Sequence, residues 1–187
     1  SNKSIFLLNY FKRLIFKLDD EYSYSDGDVC VYTDSYSRKI APSNEGVKIV
    51  LSHNPQYDEF LLLGKEAIDK GYILYLDNAD YYHPDYEELN LHANMSFEEF
   101  SESIAKFFNF AKHNMHCDII VAGHPRVEKK LIEKTYKDAT VIQGNTAELV
   151  KGAKMVIAMD STAINYAVLW NKPLIFITTK EIQKNCF

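Results

Sequence analysis

The sequence predicts an α/β protein built on a doubly wound, mostly parallel sheet. Three observations carry that expectation. Short runs rich in Ile, Val, Leu and Phe alternate with amphipathic stretches of helical period, the pattern that places parallel strands between two layers of helices. The runs themselves, YILYL at residues 72–76 and MVIA at 155–158, are apolar throughout, as suits strands covered on both faces. Gly, Pro, Asn and Asp punctuate the intervals between them.

Taken in order, the chain opens Ser1-Asn2 with no initiating Met, which reads as the cut end of a longer protein. Residues 5–18 are apolar but interrupted by Lys12, Arg13 and Lys17, so they fall short of the roughly 20 consecutive apolar residues of a spanning helix. They read as a helix packed on a neighbouring domain; the alternative is a basic amphipathic helix lying on the inner face of a membrane. Residues 19–28 are polar and turn-rich, 29–33 form a strand, and 35–46 form a loop marked by Pro42, Asn44 and Gly46. Residues 1–46 are therefore assigned to a linking region and part of another lobe, and residues 47–187 to one domain.

From Val47 the alternation is regular. A strand at 47–52 leads to a helix at 57–70 closed by Gly71, a strand at 72–76 and a long loop at 77–94. Ser96 and Glu99 sit at capping-box spacing before a helix at 97–113, whose Phe97, Phe100, Ile104, Phe107, Phe108 and Ala111 share one face. A strand at 118–122, a helix at 127–135, a strand at 140–142 and a short helix at 147–150 follow. The chain then gives strand 155–158, a polar turn at 159–162, helix 163–171 with Asp160 or Ser161 at its N-cap, and strand 174–177 entered through Lys172-Pro173. Ala163, Ala167 and Trp170 form the packing face of that helix.

Composition excludes several classes. Of 187 residues 47% are hydrophobic and 25% charged, with a net charge of −5, and no basic block or aromatic-interleaved basic stripe is present, so nucleic acid is not the expected partner. Cys30, Cys117 and Cys186 are widely spaced and include no CxxC, which suggests neither a disulfide framework nor a zinc knuckle and points to a cytoplasmic setting.

Reactive side chains collect just past the expected strand ends: His53 after 47–52, Asp77 after 72–76 with His83 and Asp85 beyond, His124 after 118–122, Gln143 after 140–142, and Asp160 after 155–158. In a parallel sheet those ends share one edge, where ligands of open α/β folds sit. In Gly123-His124-Pro125-Arg126 the glycine allows a close approach, Pro125 fits a first helical turn and Arg126 offers a bidentate grip on phosphate oxygens. His124 can donate to a phosphate or serve as a general acid. Asp160 capping the helix would compete with a phosphate for the same amides. The expectation is that Asp160 turns away and leaves Ser161 and Thr162 facing the ligand.

Together, His124-Pro125-Arg126, the later Thr146-Ala147-Glu148-Leu149-Val150, Asp160-Ser161-Thr162 after Val156-Ile157-Ala158, and Lys172-Pro173 before Leu174-Ile175-Phe176 resemble the nucleotide-binding half of GT-B-type glycosyltransferases of bacterial surface and capsular polysaccharide synthesis. The order matches the HP and Ser/Thr motifs of bacterial sialyl- and polysialyltransferases and, more distantly, non-hydrolysing UDP-N-acetylglucosamine 2-epimerases. The resemblance covers residues 118–178 and implies a Rossmann-like, GT-B-like donor-binding lobe in which His124, Ser161 and Thr162 hold the donor phosphate. Arg126 joins them on its chemistry, and Gln143 and Asp160 by their place at the strand ends. The chain departs from the pattern at Asn165 and Tyr166, where these families carry a ribose-binding carboxylate, and at Thr162-Ala163, where the epimerases carry a glycine pair. Ser25-Asp26-Gly27 only faintly echoes the acidic pair that supplies the sialyltransferase base.

On the acceptor side, Asp77, Asp80, His83 and Asp85 lie in a stretch dense in tyrosines and carboxylates, suited to sugar hydroxyls, and one of them is the expected base. Gathering of His53, His83 and His124 around a divalent ion is the competing use, but no HxH or HExxH spacing supports it. The implied activity is transfer of a sugar from a nucleotide-sugar to a glycan acceptor, with no cofactor beyond the donor. The alternatives are a non-catalytic α/β assembly module of a polysaccharide-synthesis complex and an epimerase-like enzyme.

Overall fold

A computed structural model describes residues 29–32, 48–79 and 96–178. The chain divides into two compact units, one comprising residues 1–55 and 183–187 and the other residues 56–182. In the smaller unit, β1 (Val29–Tyr32) and β2 (Lys48–Leu51) pair in parallel, Val29 beside Lys48 and Tyr32 beside Leu51. Sequence pattern places residues 47–52 at the head of the large domain's alternation; the structure pairs them with β1 instead. A short apolar run specifies a strand but carries no information about its partner.

The larger unit holds α1 (Pro55–Leu63, from its second residue), β3 (Tyr72–Leu76), α2 (Phe97–Met115), β4 (Asp118–Gly123), α3 (Lys129–Thr135), β5 (Thr140–Gln143), α4 (Thr146–Gly152), β6 (Met155–Ala158), α5 (Ile164–Leu169) and β7 (Leu174–Phe176). Its five strands are all parallel, in the order β5-β4-β3-β6-β7. Growth of the sheet therefore runs outward from β3 in one direction and then, after β5, returns to β3 and runs in the other. This is the doubly wound, Rossmann-like arrangement, with its topological switch point between β3 and β6.

The two faces of the sheet read directly from the strands. Ile73 and Tyr75 of β3 face one core with Ile119, Val121 and Ile157, covered by Phe100, Ile104, Phe108 and Ala111 of α2 and Ile132 of α3. Tyr72, Leu74 and Leu76 face the other with Val156 and Ala158, covered by Phe60 of α1, Val150 of α4 and Ala167 and Trp170 of α5. All five β3 residues are buried, as befits the central strand. Each fully buried Phe of α2 contributes roughly 1.5–3 kcal/mol, so its helical stripe, and not intrinsic propensity, holds α2 on the sheet.

Several helix boundaries differ from the sequence pattern. The helix expected over 57–70 ends at Leu63, because Gly64 takes φ +85°, the left-handed conformation in which glycine stops helices. The chain beyond it runs beside α4, with Ile68 N–H donating to the Lys151 carbonyl and Lys70 N–H to that of Gly152. Lys172 Nζ secures the same segment through the Ile68 and Ala153 carbonyls, each at 2.6 Å, and this burial pulls its ammonium below the usual lysine range. The helix expected from 127 starts at Lys129, and the one expected from 163 starts at Ile164. By contrast the Ser96–Glu99 capping box is formed in full, and α2 runs on to a left-handed His116. The helix expected at residues 5–18 lies outside the described residues.

Candidate active site

Strand register fixes what meets at the carboxyl edge. Leu76 lies beside both Ala122 and Ala158, and Gly123 lies beside Gln143. Asp77, Gly123, Gln143 and Met159 are therefore level with one another, at the mouth of the switch point. Neighbouring strands are about 4.8 Å apart, so the turns that follow β4 and β6 flank the end of β3 roughly 10 Å from each other.

Asp77 is a buried carboxylate, 5% exposed, and it organises the β4 side. Its Oδ1 accepts from Tyr136 Oη at 2.8 Å and from Ala79 N–H at 3.0 Å, and its Oδ2 accepts from His124 N–H at 3.1 Å. Three donors offset the cost of burying the charge. Ala79 is itself fully buried at φ +57°, a conformation that costs a non-glycine residue about 1–2 kcal/mol and that the Asp77 contact holds in place. Sequence pattern offers Asp77 as a base; its three bonds tie Ala79, His124 and Tyr136 together.

The turn after β4 is braced from a second direction. Gln143 Nε2 donates to the carbonyls of His124 and Val127, both at 2.8 Å. Val127 N–H closes a tight turn on the His124 carbonyl at 3.3 Å, with Pro125 at the second position, which its fixed φ favours. Pro125 is thus a turn residue, and Arg126 is an exposed turn residue two positions before the cap Glu128, not the start of a helix. Arg126 N–H points at His124 Nδ1 at 3.4 Å; an accepting Nδ1 puts the proton of the neutral ring on Nε2, as a donor. The space that Gly123 leaves open is filled from within the protein. A Cβ there would lie 2.9 Å from Ile132 Cδ1 and 3.0 Å from Gln143 Cγ.

On the β6 side, Asp160 is exposed and makes no cap bond; Ser161 Oγ instead accepts from Ala163 N–H at 3.3 Å. Asp160 thus leaves the Ala163 amide to Ser161. The Ser161 and Thr162 carbonyls accept from Ile164 and Asn165 N–H at 3.2 and 3.3 Å. Tyr166 Oη donates to Glu59 Oε2 at 2.6 Å, and burial, reinforced by that carboxylate, holds the phenol well above its usual pKa. Ala167 and Trp170 are buried in the core, with Trp170 edge-on to Phe60 at 5.3 Å, so that face of α5 packs as expected.

Asp77, His124 and Gln143 are thus brought into one bonded group, and the turn of Asp160, Ser161 and Thr162 follows β6 on the other side of the end of β3. His53 belongs to the smaller unit, and Asp80, His83 and Asp85 lie outside the described residues. Among the described residues no cluster of three or more His, Cys, Asp or Glu is placed to hold a metal, and no helix is long and apolar enough to cross a membrane. Tyr136, Gln56 and Glu59 are contributors that sequence pattern does not single out; a tyrosine soon after a helix is the only hint of the first, since buried tyrosines need a partner for their hydroxyl. A cleft of about 510 Å³ also opens at the opposite, amino-terminal edge, lined by Lys70, Lys112, Lys137, Asp118 and Asp138. Its charges are mixed, Lys112 is bonded to the Asp138 carbonyl, and it lies away from the switch point, so the carboxyl edge is the better candidate. Comparison with family models, with curated proteins and with solved structures finds no match to this chain.

Proposed function

We propose that the larger unit binds a nucleotide-sugar at its carboxyl edge and serves a glycosyltransferase of surface-polysaccharide synthesis as the donor-holding lobe. The observation that carries the reading is the switch point itself: strand order β5-β4-β3-β6-β7 opens a crevice at the end of β3, with the His124 turn on one side and the Ser161 and Thr162 turn on the other. In open α/β sheets that is where nucleotides lie. His124 Nε2–H, the Arg126 guanidinium and the hydroxyls of Ser161 and Thr162 supply donors to phosphate oxygens.

In this reading the bond between the sugar's anomeric carbon and the phosphate oxygen breaks, and the nucleotide leaves with the electron pair. The acceptor hydroxyl oxygen bonds to the same carbon and gives its proton to a base. Asp77, held by three donors, is a positioning residue in this scheme, and the base falls to Asp80, His83 or Asp85 of the acceptor stretch. The chemistry asks of the described residues that they stabilise charge developing on the leaving phosphate.

The test is a thermal-shift screen of CMP, UDP, GDP and their sugar conjugates on the full chain. A ligand present at 100 times its Kd stabilises by about 2.7 kcal/mol, so one nucleotide should raise Tm, and both Ser161→Ala and His124→Ala should abolish the rise. If no nucleotide moves Tm at millimolar concentration, the donor-site reading fails.

A further inference from the structure

The chain crosses from the smaller unit into the larger between Pro55 and Gln56, and the first side chain past that point is bonded to the turn after β6. Gln56 Nε2 donates to the Thr162 carbonyl at 3.1 Å, and Gln56 Oε1 accepts from Asn165 Nδ2 at 2.6 Å. One helical turn on, Glu59 accepts from Tyr166. Residues more than a hundred positions away thus grip both sides of the start of α5.

The grip replaces something the turn lacks. The N-cap position of α5 is Ala163, which has no polar side chain, and α5 has no side-chain cap bond. Ser161 Oγ reaches only the Ala163 amide, so within the turn the Thr162 carbonyl is held by Asn165 N–H alone, at 3.3 Å. The amide of Gln56 is used in both senses, one end donating and the other accepting. A carboxylate at that position would keep the acceptor, lose the donor and set a negative charge against the Thr162 carbonyl.

We propose that Gln56 is the positioning residue of the turn bearing Ser161 and Thr162, and that through it the orientation of those hydroxyls is tied to the point where the chain enters the unit. The proposal rests on the reading of that turn as a phosphate site, and two readouts keep it separable from that reading. Amide exchange of Ile164 and Asn165, whose N–H groups close the turn, needs no ligand. Nucleotide Kd needs the site.

In Gln56→Ala the Ile164 and Asn165 amides should exchange roughly tenfold faster while Val121 and Ile157 in the sheet stay unchanged, and Kd should weaken three- to tenfold, the scale of one lost hydrogen bond. Gln56→Glu should behave like Gln56→Ala at pH 7. Below the ordinary glutamate pKa of about 4.3 its protonated carboxyl donates to Thr162 again, and its exchange rates should return towards wild type measured at the same pH. A merely structural loss of packing would show no such rescue. Unchanged exchange in Gln56→Ala overturns the brace, and faster exchange with unchanged Kd overturns its consequence for the ligand. Faster exchange in a protein whose wild type binds no nucleotide overturns instead the phosphate-site reading beneath the proposal.

Discussion

The two turns that flank the end of β3 are built in opposite ways. Towards β4 and β5, Asp77, Tyr136 and Gln143 form a mostly buried set of bonds that run between elements and converge on the backbone of His124. Towards β6, the turn at residues 160–163 is partly exposed and closed mainly by its own local bonds, with Gln56 reaching in from α1. On the proposed reading, stability and ligand contact are separable here: substitutions in the buried network around Asp77 should cost folding, and substitutions at the half-exposed Ser161 should cost binding.

Asp77→Ala is the strongest way to break the comparison. It removes a shared acceptor from the Tyr136 hydroxyl and from the amides of Ala79 and His124 in a mostly buried network, and loss of such an acceptor costs about 3–5 kcal/mol in all. Urea denaturation should show a midpoint lowered accordingly; a loss under 1 kcal/mol would mean that the braced flank is no firmer than the exposed one. Gly123→Ala should cost less, about 1–3 kcal/mol, by overpacking against Ile132 and Gln143. Relief of that cost in a Gly123→Ala/Ile132→Val double variant would locate it in the contact with Ile132.

Ser161→Ala sharpens the other side. It removes one partly exposed bond to Ala163, so stability should change by under about 1 kcal/mol, while the nucleotide-induced rise in Tm disappears. A large fall in stability would show that the β6 turn, too, belongs to the folding core.

How much of this was legible in sequence follows from what each part depends on. The bounds of β3 and β6 match the apolar runs residue for residue because both strands are buried on both faces. The start of α2 matches because a capping box is a local code. The end of α1 is not legible because Gly64 and Gly71 are both left-handed stop candidates, at φ +85° and +80°, and only the packed structure shows that the first one ends the helix. At the site, the positions of Asp77, His124 and Gln143 follow from strand ends, but their roles do not. The Asp77 contact with Tyr136 spans 59 residues, and that of Gln56 with Thr162 spans 106. Pairings of this kind follow from tertiary packing, which no periodicity encodes.

The smallest expected effect tests a third structure on the same edge, the capping box that opens α2. Ser96 backbone N–H and Oγ both donate to Glu99 Oε2 at 2.9 Å, and these bonds hold the Glu99 carboxyl below the usual glutamate range. A pKa lower in the folded than in the unfolded chain stabilises above the unfolded value, and the contribution is lost as pH falls through the folded one. Glu99→Gln should therefore melt slightly below wild type at pH 7, and the gap should close as pH drops below the ordinary glutamate value and through the lowered folded one. Because the group is fully exposed, the gap should also stay small beside that of Asp77→Ala. A gap that persisted unchanged at pH 3 would assign the effect to side-chain packing and not to the charged cap. A gap as large as that of Asp77→Ala would mean that exposure does not separate firm from soft structure on this edge, and the contrast between the two flanks would lose its physical basis.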